Sequence, residues 1–92
     1  MINRDEVQHC TDIKKINEYA RSSDLGTVVA IAKNRHTPAG TLDMLTKHFS
    51  IVVRHEVAKH PNTDEMTLKR LITDKDMLVR DYAKRSLEKR AK

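Results

Sequence analysis

Apolar residues recur along this chain in steps of three and four. Ile13, Ile16, Tyr19 and Ala20 form one such series, and Leu25, Val28, Val29, Ile31 and Ala32 form the next. Leu42, Leu45 and Phe49 follow, then Val53, Val57 and Ala58. Met66, Leu68, Leu71 and Ile72 make a fifth series, and Leu78, Tyr82, Ala83 and Leu87 a sixth. That spacing lays the apolar side chains on one stripe of a helix and leaves the rest to water. The β-branched stretches Val28-Val29 and Ile51-Val52-Val53 carry strand propensity. They are short, and the regular boundaries around them predict helices.

The boundaries are themselves periodic. Thr11, Asp24, Thr37, Ser50, Thr63 and Asp76 stand 13 residues apart. Each side chain offers an oxygen to the unpaired N–H groups of a helix's first turn, so all six are predicted N-caps. Pro38 is expected at the first helical position, and Asp64 and Glu65 put negative charge at the positive end of the helix dipole. Shifted by 26 residues, the chain falls on itself: Ile16 on Leu42 and Leu68, Tyr19 on Leu45 and Leu71, Asp24 on Ser50 and Asp76. Self-similarity at such a period signals stacked repeats. The expected architecture is one all-α domain, 1–92, with a partial cap at 1–10 and two-helix units at 11–36, 37–62 and 63–92. Helices of about ten residues with short connections must run nearly antiparallel and are stable only when stacked. The last helix is expected to run to about Lys89, its polar outer side closing the array.

Composition narrows the class. Two Gly, two Pro, one Phe and no Trp leave the core to aliphatic residues, and 34% charged residues suit a helical protein in water. No apolar run approaches the roughly 20 residues of a membrane span. The start, Met1-Ile2-Asn3-Arg4-Asp5-Glu6, lacks the apolar core of a signal peptide. Cys10 has no second cysteine to pair with, which fits a reducing, cytoplasmic setting. The net charge of +5 arises entirely in residues 69–92, with nine basic and four acidic side chains, since residues 1–68 hold nine of each.

The pattern resembles the leucine-rich repeat variant family, a HEAT-like helical array. The residues that carry the resemblance are Val53-Arg54, Val57-Ala58, Pro61-Asn62-Thr63, Leu68, Leu71, Asp74, Asp76 and Val79-Arg80. Looser echoes are Ile31-Ala32, Thr37-Pro38, Leu42 and Leu45, then Thr11, Ile16 and Tyr19. The resemblance covers about residues 11–85 and implies a short right-handed α-solenoid, in which longer helices alternate with shorter ones, acting as a scaffold. The chain is short for that family and lacks the cysteine cluster that holds an iron–sulfur centre in some members.

Reactive constellations are sparse. His55 and His60 are five residues apart and so point to different sides of a helix, where a zinc pair needs i, i+4. Cys10, His36 and Asn62 share a corner slot, but two possible ligands make no site. Cys10 as a nucleophile would need a base and an activating setting, and its neighbour His9 diverges from it. Gly26 and Gly40 fall in first helical turns, where close packing is the expected reason for glycine. No catalytic, metal or cofactor residues are assigned, and an enzyme is not expected.

The basic residues repeat. Lys33, Lys59 and Arg85 share one slot and Arg54 and Arg80 another, so stacking would draw them into a positive row, extended by Lys84, Lys89, Arg90 and Lys92. These are the candidate partner- or anion-binding residues. Spaced cations suit phosphate contacts, whereas single-strand recognition wants exposed aromatic rings, and Tyr19, Phe49 and Tyr82 all fall at apolar positions. Arg54 and Arg80 have a simpler use, pairing with a carboxylate such as Asp74 or Asp76. The expected function is non-enzymatic docking of a partner protein on the repeat surface, as small regulatory accessory factors do. The partner would be a host protein or the cytoplasmic segment of a membrane protein. The alternative is a nucleic-acid or anionic-surface binder using the basic row and C-terminal helix.

Overall fold

The structure, a computed structural model, describes residues 3–91. Residues 1–2 of the expected N-terminal cap, and Lys92 of the expected basic row, lie outside the described residues. Among the described residues there are seven α-helices and no strand: α1 (Arg4–Gln8), α2 (Ile13–Tyr19), α3 (Leu25–Lys33), α4 (Ala39–Leu45), α5 (Ile51–Lys59), α6 (Glu65–Leu71) and α7 (Met77–Arg90). α1, α3, α5 and α7 pack one on the next, while α2, α4 and α6 each pack on the odd helix that follows. The result measures 39 × 25 × 18 Å.

The 26-residue period holds in the packing. Ile16, Leu42 and Leu68 are all fully buried, as are Thr27, Val53 and Val79, and Ile31, Val57 and Ala83. Thr27 fits a slot otherwise held by valine because its hydroxyl donates to the Asp24 carboxylate at 2.7 Å. Polar side chains repeat with the same shift. Asn34 Nδ2 donates to the carbonyls of Val7 and Cys10. His60 Nε2 donates to the Asn34 carbonyl at 2.7 Å and the Ser86 hydroxyl to the Ala58 carbonyl at 2.6 Å. One slot thus ties successive odd helices together by bonding each to the backbone of the one before. No buried side-chain polar atom among the described residues lacks a partner, as a tightly packed interior requires.

The 13-residue step does not hold. The N-caps are Asp12, Asp24, Pro38, Ser50, Asp64 and Asp76, so Thr11, Thr37 and Thr63 each fall one residue short. The reason is visible at two of them: the hydroxyls of Thr37 and Thr63 are buried and donate backwards, to the carbonyls of Ile31 and Val57, each at 2.7 Å. They close the end of the preceding helix instead of opening the next. Pro38 is accordingly the cap of α4, not its first residue, and offers no side-chain acceptor. Helices of seven and nine residues therefore alternate from α2 to α6, in place of the roughly ten-residue helices that an even 13-residue step implies.

The apolar stripes are mostly buried, with exceptions. Ile13, Leu25, Phe49, Met66 and Leu78 are exposed. Gly40 has open space where a Cβ would lie, so close packing does not explain it, whereas Gly26 lies under the guanidinium of Arg4.

Candidate functional site

The basic residues singled out from sequence divide into two groups. Arg54, Arg80 and Arg90 serve the backbone. Arg54 pairs with Asp74 (Nε to Oδ2, 2.9 Å), both side chains being nearly buried, and its Nη1 donates to the carbonyls of His48 and Phe49. Arg80 repeats only the second half of this, donating to the carbonyls of Asp74 and Lys75. Arg90 folds back onto the corner after α5, donating to the carbonyls of His60, Pro61 and Thr63.

The others are exposed, and carboxylates interleave with them. Lys33 and Lys59 line one shallow cleft, but Glu56 lies in it too and pairs with Lys59 at 3.1 Å. The Lys59 ammonium also sits 5.2 Å from the centre of the Tyr82 ring. Arg85 pairs with Asp81 at 3.0 Å. Lys33, Lys84 and Lys89 are exposed. The expected positive row is thus neutralised at two of its three repeated positions.

A different feature stands out at the opposite ends of the same helices. Of the eight large apolar side chains exposed among the described residues, six lie at or just before the first turns of α3, α5 and α7: Leu25, Phe49, Ile51, Val52, Met77 and Leu78. Leu25, Ile51 and Met77 share one repeat slot, and successive odd helices are packed side by side, so these residues line one edge of the molecule. The edge holds a cleft of about 670 Å³ between the corner before α5 and the corner before α7, lined in part by Lys47, His48, Phe49, Ile51 and Lys75.

Its walls are fixed from within. The Arg54–Asp74 pair joins the two corners, and Arg54 holds the carbonyls of His48 and Phe49. His48 Nδ1 accepts the Ser50 N–H at 3.0 Å, and Asp74 accepts the Asp76 N–H at 2.9 Å, so each corner closes a turn on a side chain. Behind the cleft, His55 Nε2 meets Asp76 Oδ2 at 2.8 Å. The His55 ring bond, helped by the Val79 N–H, holds the Asp76 carboxyl below the usual carboxylate range. On this frame Phe49 is 83% exposed, its ring stacked on His48 with centroids 4.6 Å apart.

Phe49 was expected inside, on the α4 stripe. It lies outside because α4 ends at Leu45 and α5 begins at Ile51, so helical periodicity does not govern residue 49. The repeat carried a signal that would have found it: the same slot holds Ser23 and Lys75, neither a core residue. Lys75 escaped notice because no basic residue shares its slot, and Lys47 because its slot, shared with Arg21, was passed over.

Two residues of the corner slot bond backbone carbonyls. Asn62 Nδ2 donates to the carbonyls of Arg35 and Thr37, Cys10 Sγ to the Asp12 carbonyl. Among the described residues no three His, Cys, Asp or Glu side chains converge as a metal site would require, and no helix is long and apolar enough to cross a membrane. Comparison of the chain with protein-family models, curated proteins and solved structures finds no match.

Proposed function

We propose that the chain is a non-enzymatic protein-binding module: a short right-handed α-solenoid of three two-helix units, resembling the leucine-rich repeat variant arrays, that works as a small cytoplasmic accessory factor by occupying a partner protein. The observation that carries this reading is the apolar edge formed by Leu25, Ile51, Val52, Met77 and Leu78 with Phe49. The fold leaves these side chains exposed, and a grouped apolar surface on an otherwise charged protein marks a place of contact. The competing reading, a nucleic-acid or anionic-surface binder, is weakened by Glu56 and Asp81, which occupy Lys59 and Arg85.

The two readings differ in their response to salt. Phosphate contacts make affinity fall steeply as salt rises, and an apolar dock loses little. The test immobilises the full chain, exposes it to lysate of the native host and to poly(U) and duplex DNA, and repeats each capture at low and high salt. A protein retained at both salt levels by the wild type, and lost by the triple variant Phe49→Ser, Ile51→Ser, Met77→Ser, is the expected result. Retention of nucleic acid alone, abolished by salt and indifferent to that variant, would overturn the reading.

A further inference from the structure

We propose that the cleft between the corners before α5 and α7 receives an acidic segment of the partner protein, with one large apolar side chain seated against Phe49 and Ile51 and carboxylates reaching Lys47 and Lys75. This rests on the docking reading above and names the class of segment it takes.

The repeat provides an internal comparison. The corners before α3, α5 and α7 are built alike: residues 22, 48 and 74 each accept the N–H two residues on, from Asp24, Ser50 and Asp76. Nothing in that geometry calls for an aromatic ring, and the slot holds Ser23 and Lys75 in the other two corners. Phe49 therefore stands exposed for a reason other than folding. Ile51, at 45% exposure, continues the apolar surface from it into the cleft.

Charge selects the occupant. The carboxylates of Asp74 and Asp76 in the cleft wall are already engaged, by Arg54 and His55. Lys47 and Lys75 line the same cleft, are exposed and make no ion pair among the described residues. An apolar centre flanked by two unengaged cations complements an apolar anchor flanked by acids, and opposite charges across an interface fix register and speed encounter. The apolar lining distinguishes a peptide from a nucleic acid: Phe49 and Ile51 in the cleft gain from an aliphatic side chain, and Ile51 gains nothing from a phosphodiester. The cleft is also preorganised, since Arg54 pins both its walls. Binding there orders little of this chain's backbone, which favours affinity, and an aromatic ring is the kind of side chain on which interface energy concentrates.

The test selects displayed random 12-residue peptides on the full chain, then measures the affinity of a synthetic selected peptide for variants. The expected peptides carry one large apolar residue with Asp or Glu on either side. Phe49→Ser is expected to weaken the synthetic peptide at least tenfold while leaving the far-UV circular dichroism unchanged, since the ring is exposed. Lys47→Glu with Lys75→Glu is expected to weaken it several-fold and to favour a peptide whose acids are replaced by lysine. Neutral or basic selected peptides, or no selected peptides at all, would overturn the proposal. So would acidic peptides indifferent to Phe49→Ser and to the lysine variants, in which case docking elsewhere on the chain would still stand. Phe49-dependent binding of poly(U), or of vesicles of phosphatidylcholine and phosphatidylserine, with no peptide binding, would remove the docking reading as well.

Discussion

Asp74 ties together several parts of the molecule beside the cleft. Its carboxylate takes two N–H groups from Arg54 and the backbone N–H of Asp76, and its carbonyl takes Arg80. Removing one member of a nearly buried pair leaves the other charged and uncompensated, a loss of about 3 kcal/mol. Arg54→Ala is therefore expected to lower stability by roughly that much in urea titrations. Arg80→Ala, which frees only carbonyls that water can reach, is expected to cost about 1 kcal/mol. Equal effects would mean the Arg54–Asp74 pair is solvated and does not hold the cleft. Asn34 is a second such residue: fully buried, it bonds the carbonyls of Val7 in α1 and Cys10 just after it, and accepts the His36 N–H. Asn34→Ala is expected to cost about 2 kcal/mol, the penalty of stranding buried polar groups.

At the scale of the helix, the threonines separate the cap expected from sequence from the one observed. Thr37→Val and Thr63→Val each delete a buried hydroxyl that donates to a carbonyl six residues back, and each is expected to cost about 1 kcal/mol. Thr11 is exposed, and Thr11→Val is expected to change stability by less than about 0.5 kcal/mol. Equal losses at all three would restore the 13-residue cap step. The caps also set an acid limit. Asp24 is held below its ordinary value of 3.8 first by the Thr27 hydroxyl, Asp64 first by the Thr67 N–H and Asp76 first by the His55 ring. Folding thus binds the ionised forms more strongly than the unfolded chain does. That stabilisation is present above about pH 4 and is lost as pH falls through the lowered folded values. The Tm gap between wild type and the Asp24→Asn, Asp64→Asn, Asp76→Asn variant is expected to shrink below pH 4; a gap independent of pH would contradict the assignment. Much of this level could be read in advance, because Asp24, Ser50 and Asp76 mark helix starts by chemistry and position alone. Thr37 and Thr63 misled because a hydroxyl is donor and acceptor at once, and only the position of the preceding helix decides which role it takes.

For the whole molecule, the 26-residue period was legible because the buried slots repeat in kind, as Ile16, Leu42 and Leu68 do. The cleft was not, because it depends on which residues break the repeat. Phe49 looked like core by spacing alone; Arg54 and Arg80 could be read either as cations of a positive row or as partners of Asp74 or Asp76, and Arg54 does pair with Asp74 while Arg80 bonds backbone carbonyls. Each odd helix bonds to the backbone of its predecessor through Asn34, His60 and Ser86, so the two ends are expected to unfold together. Tyr19 reports α2 and Tyr82 reports α7. Urea transitions followed by tyrosine fluorescence in Tyr82→Phe and in Tyr19→Phe are expected to coincide with circular dichroism once each is scaled to its own stability. Separate midpoints within one variant would mean the units fold independently. The reading of the chain as a docking module is tested most directly by the affinity of its captured partner protein, measured for wild type and Phe49→Ser at 0.1 M and 0.5 M salt. The substitution is expected to weaken binding about tenfold or more, and the rise in salt only a few-fold. A fall of about a hundredfold with salt, and none with the substitution, would contradict that reading.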